Sequence, residues 1–174
     1  MMPDTHGVNV AFSGMNARFS RGLAHHASTL FKRSAYEKVG GYRAPFYFAQ
    51  DLDLWFRLHE IGRFAVLPPV LYQARIAPST ISGCYRSEQL RLTDLVYTAA
   101  RLRRMGKRED DILREAARVQ PSTAVERSRA KQAAALYFVG ACLRSRNDAR
   151  AKHYFKQAIG IWPMHLKSWY RYFL

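Results

Sequence analysis

The chain has 174 residues, 48% of them hydrophobic, with ten tyrosines and ten phenylalanines, enough apolar chain for a real core and too much for a disordered polypeptide. Its formal net charge is +15, and its two cysteines, Cys84 and Cys142, lie far apart without metal-ligand spacing, so they read as free reduced thiols. No apolar run approaches the roughly eighteen residues of a membrane span, and the start lacks the charged-then-apolar layout of a signal peptide.

Residues 1–23 carry one acid, Asp4, and show no strand–helix alternation. His25 and His26 are adjacent, so in an extended segment they point to opposite faces and do not share one metal. Ser34-Ala35-Tyr36-Glu37 has the spacing of a capping box, in which serine accepts from the amide three residues on and glutamate reaches back. Gly40-Gly41 then ends the short helix.

The run Phe48-Ala49-Gln50-Asp51-Leu52-Asp53-Leu54-Trp55-Phe56-Arg57-Leu58 puts two acids at the mouth of a helix. Leu54, Trp55, Leu58 and Ile61 fall three, four, seven and ten positions after Asp51, which aligns Asp51 with the buried stripe. Asp53 faces Arg57 at i+4 and reads as a solvated helix charge, so the two carboxylates diverge and form no paired dyad. Trp55 shares its stripe with Leu58 and reads first as core, with a sugar platform as the functional alternative.

Phe64–Leu67 and Val70–Ile76 read as short strands broken by Pro68-Pro69, which donate nothing to a ladder. From Ser87 the pattern is helical, with Leu92, Val96, Ala99 and Leu102 on one face up to Gly106, and a second helix from Glu109 to about Val119 before Pro121. Thr123-Ala124-Val125-Glu126 is another capping box, opening a helix to about Arg144. Asn147-Asp148 makes a turn, and Ala151, Phe155 and Ala158 mark a helix ending by Pro163. Those spacings resemble the second helix of a tetratricopeptide repeat, although Gly140 stands one place late in the first. A single such hairpin needs neighbours to bury its face, so Trp162, Trp169, Tyr170 and Phe173 are expected to fold back as a helical cap. His59, His153 and His165 lie on helical stretches without partners at ligand spacing and read as surface or core residues.

The composition shifts near residue 84. Residues 1–84 hold nine Lys/Arg against five Asp/Glu, whereas 85–174 hold nineteen against eight, so most of the positive charge lies in the helical extension. Its densest part, Arg101-Leu102-Arg103-Arg104-Met105-Gly106-Lys107-Arg108, suits an anionic membrane surface or nucleic-acid phosphates, with a solvated helix end as the plain reading. Glu109, Asp110 and Asp111 follow at once and dilute the patch, which makes nucleic acid the weaker partner.

One ordered set ties the first half together: His26-Ala27-Ser28-Thr29-Leu30-Phe31-Lys32-Arg33, then Val39-Gly40-Gly41-Tyr42-Arg43, then the Asp51 helix, then Val70-Leu71-Tyr72, Arg75 and Ser82. Over about residues 24 to 83 this set resembles the C-terminal half of the catalytic domain of family-2 glycosyltransferases of the GT-A fold. The resemblance implies an α/β fold, a partial Rossmann-like GT-A half in 1–84, followed by an all-α extension in 85–174 with a tetratricopeptide-like hairpin near 124–163. It implies that the nucleotide-binding half, with its Asp-x-Asp motif, is missing, so the chain acts as a fragment without turnover of its own.

The same resemblance implies transfer of a sugar from a nucleotide sugar to a glycan or lipid-linked acceptor, as in cell-envelope polysaccharide synthesis, with Asp51 as general base. Arg75 falls to the diphosphate, and His26, Ser28, Gln50 and Trp55 to the acceptor side. A divalent metal, Mg or Mn, is expected as cofactor with its main ligands outside this chain, and the location expected is cytoplasmic, peripheral at the inner face of a membrane. The chain departs from the family pattern at Gln50, where a glutamate is usual, and at Ala77, where a histidine often stands and where alanine offers no ligand atom. The alternative reading is a helical protein-interaction module built on the extension.

Overall fold

The computed structural model describes residues 8–11, 26–65, 67, 71–80, 84–120 and 128–174. Among them are two four-residue strands, β1 (Val8–Ala11) and β2 (Gln73–Ile76), paired in a two-stranded ladder. The helices are α1 (Arg33–Lys38), α2 (Gln50–Ile61), α3 (Arg86–Arg104), α4 (Asp110–Ala117), α5 (Arg129–Arg144), α6 (Ala151–Ile161) and α7 (Leu166–Phe173). Single 3-10 turns occupy His26–Ser28 and Ala44–Phe46.

This architecture corrects the expected fold. A GT-A half stacks helices on a multi-stranded sheet, and here the described residues are mostly helical with no ladder beyond one short pair. The partial Rossmann-like α/β class is therefore wrong, and with it the assignment to the family-2 glycosyltransferases. The physical reason lies in what carried the resemblance. Its motifs mark a helix start, a Gly-Gly turn and a short extended run, local features that form without the sheet. Of the two expected strands only Gln73–Ile76 pairs, while Arg63, Phe64 and Ala65 lie outside any strand. β1 falls within residues 1–23, where no strand–helix alternation was expected.

The chain divides into two compact units, Ala11–Gln73 with Ser87–Pro121, and Met1–Val10 with Ala74–Arg86 and Ser122–Leu174. In the first, α2 is enclosed on every side, with all residues from Leu52 to Leu58 buried. Leu54, Trp55 and Leu58 form a cluster on which Phe31, Ala35, Tyr36, Val39 and Tyr42 pack. α3 buries Leu92, Leu95, Val96, Ala99 and Ala100, the periodic face expected of it. The expected capping box at Ser34 is absent: Ser34 lies inside α1, and Lys32 at the cap offers no side-chain bond. The Gly-Gly exit is as expected. Gly40 and Gly41 take φ of 78° and 66°, and their amides donate to the Glu37 and Tyr36 carbonyls, closing the last turn.

In the second unit α5 and α6 pack as a hairpin and α7 packs on α6. Ala151, Phe155 and Ala158 are buried as their spacing predicts. Gly140 lies under the Phe155 ring so closely that an added Cβ would meet its Cε1 at 2.7 Å. Ser128 caps α5, accepting from the Lys131 amide at 3.3 Å, whereas the capping box expected at Thr123–Glu126 lies outside the described residues. Asn147, at φ 56°, makes the expected turn after α5. The aromatic cap is corrected, because Tyr170 and Phe173 stand in solvent.

Candidate functional site: an acid beside an aromatic pair at the mouth of α2

Asp53 is the first surprise of α2. It was expected on the solvated face, and it is fully buried. Arg57, one turn on, donates to it from Nε at 3.0 Å and Nη2 at 2.7 Å, and Arg43, from the segment after the Gly-Gly turn, donates from Nε at 2.9 Å and also from Nη2. Arg43 continues to Glu109, and Glu109 accepts from Arg103 Nη1 at 2.6 Å, while Arg103 Nε donates to Glu60 at 3.0 Å. Three guanidinium groups and three carboxylates thus form one neutral chain. Burial lowers the Arg43 and Arg103 pKa values, and the hydrogen bonds and charges of their carboxylate partners more than offset it, leaving both raised.

This network holds the loop beside the site. Arg57 Nη1 donates to the Val39 carbonyl at 2.6 Å and Nη2 to the Gly41 carbonyl at 2.7 Å, fixing the backbone immediately before Tyr42. The Tyr42 amide in turn donates to Tyr36 Oη at 3.3 Å. The Tyr42 hydroxyl and His26 Nε2 share a 2.6 Å hydrogen bond, and the His26 ring meets the Tyr42 and Trp55 rings edge-on at centroid distances of 5.5 and 6.2 Å.

Asp51 stands at the N-terminal turn of α2, half-buried, with Oδ1 accepting from the Leu52 amide at 2.8 Å. It is close enough to Tyr42 that its charge, after burial and the neighbouring Tyr36 phenol, raises the Tyr42 pKa. His26 and Tyr42 therefore form a hydrogen-bonded pair against Trp55, and the charge of Asp51 is felt at Tyr42. Trp55 is 1% exposed and braces His26 instead of offering a platform to a ligand. Tyr42 is the participant that sequence reading passed over, quoted only as part of a turn motif; the glycine pair before it was the signal that a side chain is presented there.

The other expected residues disperse. Gln50 is half-buried beside Asp51, and Ser28 is exposed on the turn after His26. Arg75 is exposed on β2, within the other unit, and Ala77 is buried. His25 and Ser82 lie outside the described residues. His59 packs against Phe64, His153 contacts Gln157 Nε2 at 2.9 Å, and His165 Nδ1 bonds Ser168 Oγ at 2.7 Å. Both cysteines are free, and burial raises the Cys142 thiol pKa against the opposing charges of Arg146 and Arg86.

Among the described residues no three His, Cys, Asp or Glu side chains come together as a metal-binding group. Among the described residues no helix is long and apolar enough to cross a membrane. Comparison with protein-family models, with curated proteins and with solved structures found no match.

Proposed function

We propose that the mouth of α2 is the acceptor side of a sugar-transfer centre in which Asp51 is the general base. The reading rests on side-chain chemistry and does not depend on membership of the family whose fold is excluded above. The observation that carries it is the half-buried Asp51 at the first turn of α2, whose charge reaches Tyr42, itself hydrogen-bonded to His26. Asp51 has one oxygen engaged by the Leu52 amide and a second for a ligand hydroxyl. Imidazole and phenol supply polar atoms for neighbouring hydroxyls, and their ring faces suit the C–H face of a sugar.

In the transfer, the acceptor oxygen forms its bond to the anomeric carbon of a nucleotide sugar while Asp51 takes the hydroxyl proton. The bond from that carbon to the phosphate oxygen breaks, and the nucleoside diphosphate leaves with the electron pair. General-base help of this kind is worth about 10² to 10⁴ in rate. The acceptor is a glycan or lipid-linked glycan, and the place of work is the cytoplasmic face of a membrane.

The test is NMR on the chain with a panel of oligosaccharides. Shifts confined to the His26 ring, Tyr42, Asp51 and the Leu52 amide are expected. Shifts elsewhere, or none with any oligosaccharide, would sink the reading. The second reading, a helical interaction module, is favoured by the tight α5–α6 hairpin, but one hairpin offers no continuous groove.

A further inference from the structure

In the run Arg101–Arg108, the most basic stretch in the sequence, two of the five cations are paired with carboxylates, Arg103 with Glu60 and Glu109 and Arg108 with Asp110, and Arg104 lies over the Phe56 ring. The face that remains open is on α7. Ser168 is buried in its inner side, and Leu166, Tyr170 and Phe173, at i, i+4 and i+7, form the opposite row at 75, 65 and 74% exposure. Trp169 flanks that row, stacked on Phe173 with centroids 5.9 Å apart, its indole N–H held by the Pro163 carbonyl at 2.8 Å.

Charge complementarity says what covers this row. Lys167 and Arg171, at i+1 and i+5, line one flank of the apolar face and are exposed. Arg150 is paired with Asp148, and beyond it residues 151–174 hold four Lys/Arg and no aspartate or glutamate. A protein partner offering apolar cover would have to supply the missing acids itself. An anionic bilayer supplies both parts at once, an acyl boundary for leucine and rings and a negative surface for the cations.

We infer that α7 is an interfacial anchor that lies in the headgroup region of an anionic phospholipid membrane, with Leu166, Tyr170 and Phe173 inserted and Lys167 and Arg171 at phosphate level. It depends on α7 alone and stands whether or not Asp51 is a base. The rigid indole of Trp169, hydrogen-bonded back to the chain, keeps the stacked Phe173 ring presented outward.

Flotation of the full chain with vesicles of phosphatidylcholine, with and without phosphatidylglycerol, tests it. Binding to the anionic vesicles is expected, weakened by salt, with a blue shift of tryptophan emission that disappears in Trp169→Phe. Leu166→Ser and Phe173→Ser each lower partitioning by about tenfold or more, as expected for losing one buried large apolar side chain. Lys167→Glu and Arg171→Glu each lower it by about fivefold or more, as expected for a basic residue near a charged surface. All four positions are exposed, so circular dichroism of the variants should match the parent. Equal partitioning of parent and variants overturns the inference, as does binding that ignores lipid charge. A parent dimer that Phe173→Ser converts to monomer, without vesicle binding, also overturns it by assigning the face to a second copy.

Discussion

Asp51 and Asp53 stand two residues apart and do different work because α2 is enclosed on every side but open at its first turn. Asp53 is buried between two guanidinium groups, so removing it leaves Arg57 and much of Arg43 without a counter-charge. Breaking such a pair from one side costs about 3–5 kcal/mol. Asp53→Ala is therefore expected to lose that much in urea denaturation, while Asp51→Asn, partly in solvent and still able to accept the Leu52 amide, loses less than about 1 kcal/mol. A smaller loss for Asp53 than for Asp51 would contradict the placement of the two acids.

His165 gives a pH-dependent case at the same scale. Burial, then the charge of Lys167, hold its pKa below the ordinary 6.5 against its own backbone hydrogen bond. The unfolded chain then binds the proton more readily. Stability from this residue is fully present above pH 6.5 and is lost as pH falls through the lowered folded value. Denaturation curves should show the parent weakening on acidification more than His165→Asn, which keeps a polar partner for the Ser168 hydroxyl without titrating. Identical pH dependence in the two would refute this role.

At the scale of elements, the α5–α6 hairpin depends on the absence of one side chain. Gly140→Ala places a methyl group inside the Phe155 ring contact, and overpacking of this kind costs about 1–3 kcal/mol. Such a loss should appear in chemical denaturation; an unchanged midpoint would mean that the helices part freely. Helix periodicity was readable over Leu92, Val96 and Ala99 and over Ala151, Phe155 and Ala158, because both segments present one face to a core. It failed for α2, where the signal of a buried polar face was available only as pieces: Arg57 at i+4, and Arg43 ten residues earlier. It failed again at Ser34, where a capping pattern sits inside a helix already begun.

At the scale of the molecule, motif order suggested a sheet that the described residues do not build. The Gly40-Gly41 turn was legible because turn chemistry is local, whereas the burial of Asp53 and the pairing of strands depend on distant partners that local motifs do not specify. Charge count misled in the same way, since Arg103 and Arg108 are matched by Glu60, Glu109 and Asp110. Net charge is a property of the whole chain, and where it is available to a partner is a property of pairing. The stretch 151–174, beyond the Arg150–Asp148 pair and without acids of its own, is accordingly the better guide to an anionic surface than the densest run.

The central claim is that Asp51 removes a proton from a sugar-acceptor hydroxyl, and its most direct measurement is the transfer rate of Asp51→Asn. With a panel of nucleotide sugars and oligosaccharide acceptors and product followed by mass, the substitution is expected to lower kcat by about 10²-fold or more at nearly unchanged stability. A rate that survives the substitution, or no transfer by the unsubstituted chain with any nucleotide sugar, would contradict it.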